Sequence, residues 1–232
     1  MHLDRFSAII FDCDGVLVDS EALGLDDSVV FLKSRGFTWE APDLIRIFTG
    51  YRDDIFRQKL EDAYIEIHGQ KPDNTLFEGL IETRRRNKHK LKAIAGAEPF
   101  LQSLRNRHPA LAIGVASSSR TPLLTSKLER TGLWDLLAPH IYSADRVAEG
   151  KPAPDVFLYA AEKLGIDPSA CLVLEDSTQG IKAGLAAGMI VWGFTGGSHC
   201  FDGHAETLID AGAERIVNGF AELDRLILGK AV

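Results

Sequence analysis

Cysteine is scarce in this 232-residue chain: there are three, Cys13, Cys171 and Cys200, with no close pair. An odd, sparse set argues against a disulfide framework and fits a reducing compartment. Positive charge is also in deficit, with 26 Lys and Arg against 33 Asp and Glu, a net −7. Such a surface repels nucleic acid and anionic membranes at long range, so an anionic substrate needs a local positive site. The longest near-apolar stretch, Ala183 to Phe194, is Gly-rich and falls short of the about 20 residues a bilayer span requires. The opening Met1-His2-Leu3-Asp4-Arg5 has no basic region followed by an apolar one, which argues against a signal peptide. Internal repeats, low-complexity linkers and strong heptads are missing too. These absences lead to the expectation of a cytoplasmic monomer that binds neither nucleic acid nor membrane. What is present is an ordinary apolar fraction of 45%, enough for a proper core. The length allows one large domain, or one domain carrying a smaller insert.

Ser7 to Phe11 is a short apolar run that ends in acids and Gly15, which reads as a buried strand entering a functional loop. A different texture follows. Ala22, Leu25, Val29 and Leu32 recur at helical spacing, and Gly36 stops that helix. Ile55, Phe56, Leu60, Tyr64 and Ile67 mark a second helix, stopped near Gly69. Leu76, Phe77, Leu80 and Ile81 begin a third. After about Lys90 the pattern alternates. Strands are expected at Leu111–Ala116, Ile141–Tyr142, Cys171–Leu174, Met189–Phe194 and Arg215–Val217. Helices are expected at Pro122–Arg130, Pro154–Leu164 and Thr178–Ala187. Strand–helix alternation with short connections implies a parallel α/β sheet covered on both faces, Rossmann-like and doubly wound. Residues 1–17 and 91–232 would form that core, with 18–90 inserted as an all-helical domain.

Sites in such sheets form where the carboxyl ends of strands meet loops. The first strand is followed by Asp12-Cys13-Asp14-Gly15, the second by Ser117-Ser118-Ser119. The third leads to Gly150-Lys151-Pro152, and the fourth to Glu175-Asp176-Ser177. Clustered carboxylates repel one another unless a cation lies among them. Their oxygens suit a hard cation, Mg2+ before Ca2+. Lys151 as a point charge and Ser117 as a donor suit phosphate oxygens. An aspartate can attack phosphorus to form an aspartyl-phosphate. Ser177 is available to cap the helix near Thr178, which leaves Glu175 and Asp176 free for other work.

The run Asp12-Cys13-Asp14-Gly15-Val16-Leu17-Val18-Asp19-Ser20-Glu21 resembles the first motif of the haloacid dehalogenase superfamily. The closer likeness is to the subgroup containing β-phosphoglucomutase and phosphoglycolate phosphatase. Ser117, Lys151 and Glu175-Asp176 fall where its other three motifs belong, and the helical insert is similar to its cap. The resemblance implies a Mg2+-dependent phosphatase acting on a small phosphorylated metabolite, such as a sugar or sugar-acid phosphate. In it Asp12 is the nucleophile and a metal ligand. Asp14 protonates the leaving oxygen and then activates water, while its backbone carbonyl binds metal. Asp176 and Glu175 are metal ligands, and Ser117 and Lys151 hold the phosphoryl group, with Ser118 assisting. Arg52, beside the Thr49-Gly50-Tyr51 turn, is the cap residue that would touch substrate.

Two other functions compete: a sugar-phosphate mutase and a non-catalytic binding module. The mutases of this subgroup carry a histidine on the first cap helix, and the matching position here is Gly24. Asp14 argues against dehalogenation, in which no alkoxide leaves. Phosphonate hydrolysis would need a cap lysine, for which Lys33 and Lys59 are the available residues. The basic run Arg84 to Lys90 reads as a solvated helix face. His199, Cys200 and His204 match no closed zinc spacing and read as a polar loop.

Overall fold

The computed structural model describes residues 5–229. β1 (Ala8–Phe11) is wholly buried, and its side chains alternate between two clusters. Ile9 and Phe11 join one, Ala8 and Ile10 the other. That is the period-2 signature of a strand covered on both faces, and it explains why the run is continuously apolar.

The chain then leaves the sheet. α1 (Leu25–Ser34), α2 (Ala41–Phe48), α3 (Asp53–His68) and α4 (Asn74–Asn87) follow in succession. They close on a separate apolar cluster in which Val29, Leu32, Phe48, Leu60, Leu76 and Leu80 are buried. Trp39 packs here, 4.5 Å from Phe37 and 5.4 Å from Phe48, ring centre to ring centre. The exit and re-entry of the chain lie side by side. Val18 bridges Ala93, Asp19 N donates to Lys92 O, and Ile94 N donates to Leu17 O.

The sheet resumes after α5 (Ala97–Arg107), with β2 (Ala112–Ser117), α6 (Thr121–Arg130), α7 (Trp134–Leu137) and β3 (Ile141–Ser143). Next come α8 (Asp155–Leu164), β4 (Cys171–Glu175), α9 (Thr178–Ala186), β5 (Ile190–Phe194), α10 (His204–Asp210), β6 (Arg215–Val217) and α11 (Phe220–Leu228). All six strands run parallel in the order β3-β2-β1-β4-β5-β6. α5, α6, α7 and α11 bury leucines and phenylalanines on the face of Ile9 and Phe11, with Trp192 among them. α8, α9 and α10 cover the other face.

The expected strands and helices are present with ends shifted by a residue or so. The helices over 41–48, 97–107, 134–137, 204–210 and 220–228 are additions. α5 contains Pro99 in its first turn, where a missing N–H costs nothing because that amide has no intrahelical partner. The order places β1 between β2 and β4, so the chain reverses its direction of winding next to β1. The crevice outside such a switch point is where open parallel sheets bind ligands.

Candidate active site

Register decides which side chains meet. Phe11 is level with Val115 of β2 and Leu174 of β4. The residues just beyond those positions, Asp12, Ser117 and Glu175, are therefore delivered to one edge. All three are buried, together with Asp176 and Lys151. Lys151 arrives on the loop after β3, preceding a cis Pro152. Its Nζ donates to Asp12 Oδ1 at 2.5 Å, to Glu175 Oε2 at 2.8 Å and to the Ala116 carbonyl at 3.3 Å. The same ammonium lies 4.8 Å from the centre of the Phe157 ring. Ligand oxygens of Asp12, Glu175 and Asp176 lie within 4.8 Å of one another.

Three buried carboxylates face one ammonium. Burial, and the repulsion of Glu175, push Asp12 and Asp176 well above the usual carboxylate range, against the pull of Lys151. Burial works to lower Lys151, but Asp12 and Glu175 outweigh it and keep the lysine charged. With all three ionised, two negative charges would exceed the one ammonium, and Asp176 Oδ2 is buried with no satisfied hydrogen bond, only the His199 ring 2.8 Å away. A hard divalent cation fits that oxygen-only donor set and that charge.

The turn that aims these groups is tight. Gly15 has φ +80°, and a Cβ there would overlap the Asp176 carboxylate and come within 2.7 Å of His199 Cε1. Gly15→Ala must therefore move Asp176 as well as strain the loop. A misplacement of about 1 Å at a reacting centre costs about a hundredfold in rate. Activity assays on Gly15→Ala are expected to show a loss of at least that size. Turnover near the parental level would mean that Asp176 does not need its position. Ser177 caps α9 by accepting from Gly180 N at 3.0 Å, and it donates to Glu175 Oε1 at 2.7 Å. Gly180 also keeps room for the Glu175 carboxylate, which a Cβ would strike.

Asp14 stands apart from this cluster. Burial works to raise it, but the charge and hydrogen bond of Lys127, with bonds from Ser20 and Ser119, bring it down to about 2. Ser119 Oγ donates to Asp14 Oδ2 at 2.8 Å, while Ser117 Oγ is 3.5 Å from that oxygen, at the outer limit of a hydrogen bond.

The sequence-predicted residues thus divide. Asp12, Ser117, Lys151, Glu175, Asp176 and Asp14 come together at one sheet edge. Ser118 turns away and donates to the Gly50 carbonyl at 2.8 Å, joining the β2 loop to the helical block. Arg52 lies over the loop that carries Lys151, with its Cβ 3.2 Å from the place a Gly150 Cβ would take. Its guanidinium pairs with Asp54 through two 2.8 Å bonds and reaches the Ala148 carbonyl at 3.3 Å. Lys33 pairs with Glu40, and Lys59 lies 4.8 Å from the Tyr51 ring centre. In the basic run, Arg85 and Arg86 pair with Glu82 on exposed helix surface.

Sequence reasoning missed Lys127 and His199. The loop after β5 is polar, as expected, yet His199 is wholly buried with Nε2 2.8 Å from Asp176 Oδ2. His204 Nε2 bonds the Asp176 carbonyl at 2.7 Å, and Ser198 donates to Asp19. His199 Nε2 also lies 3.6 Å from Cys200 Sγ. The adjacent Ser-His-Cys offers no spacing signal for any of this, because the loop folds back across the sheet edge.

A family model of haloacid dehalogenase-like hydrolases matches residues 6–188. The bifunctional riboflavin kinase/FMN phosphatase of Arabidopsis thaliana is 30% identical over 78% of the chain, which spans 46% of that protein's length. The 6-phosphogluconate phosphatase of Escherichia coli is 24% identical, with 89% of this chain and 88% of the relative covered. A β-phosphoglucomutase of Mycobacterium bovis is 31% identical over 81% of this chain and 80% of its own. A crystal structure of a haloacid dehalogenase-like protein of unknown function from Agrobacterium tumefaciens superimposes with a TM-score of 0.81 at 34% identity. It covers 97% of this chain and 98% of its own. With the family model covering most of the chain, and the same six-stranded parallel sheet delivering its motif residues to one edge, the chain belongs to the haloacid dehalogenase-like hydrolases.

Proposed function

We propose that this chain is a Mg2+-dependent phosphatase of small phosphorylated metabolites, working through an aspartyl-phosphate on Asp12. The observation that carries the reading is the Lys151 ammonium held between Asp12 and Glu175, with Asp176 alongside. Phosphoryl transfer is governed by positioning and by neutralising charge on the transferred oxygens. Asp12, Glu175 and Asp176, with the Asp14 carbonyl, would hold Mg2+, which when bound supplies charge to the phosphoryl oxygens. Asp12 attacks phosphorus, and Lys151 and Ser117 bind the oxygens of the transferred group. Asp14 hands a proton to the leaving alcohol and later takes one from the attacking water. The four-helix block over 18–90 acts as the cap, with Arg52 at its inner edge. The phosphatase relatives support this class of reaction. A cytoplasmic monomer is the accompanying expectation. Among the described residues no helix is long and apolar enough to cross a membrane.

A mutase is the second reading, and the mycobacterial relative favours it. Gly24 speaks against it. Its φ is +65°, and a Cβ there would meet the Thr83 carbonyl at 2.7 Å, so a catalytic side chain has no room at that position.

The test is phosphate release over a panel of sugar phosphates, sugar-acid phosphates, phosphoglycolate and nucleotides, with Mg2+ or with chelator. Turnover of at least one ester that chelator abolishes is the expected result. Conversion of β-glucose 1-phosphate to an isomer without phosphate release would make the mutase reading correct. No turnover across the panel would leave a binding module.

A further inference from the structure

We propose that Lys127 is a positioning residue for Asp14, and that this pair suits the chain to alkyl phosphates, whose leaving alcohol must be given a proton. The proposal rests on the reading of Asp14 as the acid and base, and adds the residue that holds it in place.

α6 springs directly from the Ser117–Ser119 loop, and Lys127 is near its middle. Leu124 and Leu128, three before and one after, are buried on its inner side. A leucine would be the ordinary occupant of such a stripe. A lysine stands there instead, its side chain 13% exposed, and its Nζ meets Asp14 Oδ1 and donates to Ser119 Oγ at 2.9 Å. Ser119 Oγ donates in turn to Asp14 Oδ2 at 2.8 Å. Lys127 therefore grips one carboxylate oxygen directly and the other through Ser119. Ser20, on the segment leading to the helical block, completes the set on Oδ1.

Buried ion pairs are seldom more stabilising than apolar residues of the same size, so stability alone does not account for this one. Nor is it spare charge for the phosphoryl group, because Lys151 already stands between Asp12 and Glu175. The two ammonium groups divide the site: one serves the nucleophile, the other the acid. In the first step the bond from phosphorus to the alcohol oxygen breaks, and a bond from an Asp12 oxygen to phosphorus forms. The proton that the Lys127–Asp14 pair holds passes through Asp14 to the departing oxygen. In the second step water bonds phosphorus, the Asp12–phosphorus bond breaks, and the proton lost by water returns through Asp14 to that pair. A sugar alkoxide needs that proton; a 4-nitrophenolate leaves without it.

The experiment is a four-member cycle of the parent, Lys127→Met, Asp14→Asn and the double variant. For each, kcat/KM is measured on 4-nitrophenyl phosphate and on the best alkyl phosphate of the panel. The expected result is that the alkyl-to-aryl ratio falls about a hundredfold in Lys127→Met, within the range of general acid catalysis. Asp14→Asn lowers it as far, and the double variant lowers it no further, since groups acting as one unit are non-additive. A purely structural lysine would depress both substrates equally and leave the ratio alone. If Asp14→Asn lowers the ratio and Lys127→Met does not, or if the two losses multiply, the positioning role is wrong. If Asp14→Asn leaves the ratio unchanged, the reading of Asp14 fails and this proposal goes with it. Should Lys127→Met not fold, Lys127→Gln retains a donor for Ser119 and removes the charge, and the same ratio decides.

Discussion

Asp12→Asn is expected to lower kcat by about 10⁴ to 10⁶, the scale on which enzymes lose a nucleophile. The amide has the shape of the carboxylate but no charge to donate to phosphorus. The neighbouring acids do not replace it. Glu175 is tied to Lys151 Nζ and to the Ser177 hydroxyl, and Asp14 is enclosed by Lys127, Ser20 and Ser119. Folding should survive, because Asn fits the same space and Lys151 keeps Glu175 as a partner. A thermal melt alongside the assay separates a lost nucleophile from a lost fold. Borohydride reduction during turnover supplies a second readout. It converts an acyl phosphate at position 12 to homoserine, which peptide mass mapping detects. Persisting turnover in the variant, or no reduced product in the parent under steady state, would remove Asp12 from the nucleophile's role.

Lys151→Met is expected to cost both stability and activity. The lysine is wholly buried, and its ammonium is shared by Asp12 and Glu175. Breaking a buried pair from one side leaves an uncompensated charge and costs about 3–5 kcal/mol. Methionine matches the alkyl stem, so packing against Phe157 is kept and the loss reports on charge. Denaturant unfolding at neutral pH should show a lower midpoint with an unchanged slope. The rate should fall by about 10²–10³ as well, the usual effect of removing one preorganised donor from a charge-developing centre. Lys151→Arg is not expected to restore either, because a planar guanidinium cannot take a slot built for a compact ammonium. A variant as stable as the parent would mean that the carboxylates stand protonated or find other partners.

The sheet and most of its edge are legible in the sequence because strand ends alone place them. A parallel sheet sends every carboxyl end to one side, so Asp12, Ser117, Lys151 and Glu175-Asp176 had to converge wherever the strands paired in register. Lys127 carries no such signal, because helical periodicity marks Leu124 and Leu128 as inward and a lysine between them reads as a solvated neighbour. Position in the chain alone points Ser118 and Arg52 toward substrate. Their actual partners, the Gly50 carbonyl and Asp54, follow from side-chain direction and a nearer charge. In the sequence His199 reads as loop, because its partner Asp176 lies 23 positions earlier, across a connection whose path no local pattern specifies.

By itself, then, the order of residues determined the strand–helix alternation, the edge on which the chemistry collects, and the kinds of groups that collect there. Those follow from burial, period and chain direction, all of which are local. Only the tertiary structure decided which carboxylate meets which ammonium. Lys151 took Asp12 and Glu175, Lys127 took Asp14, and His199 took Asp176. The choice among partners depends on a few ångströms of separation in a medium where burial makes each unpaired charge costly. Distances of that kind are set by the packing of elements far apart in the chain.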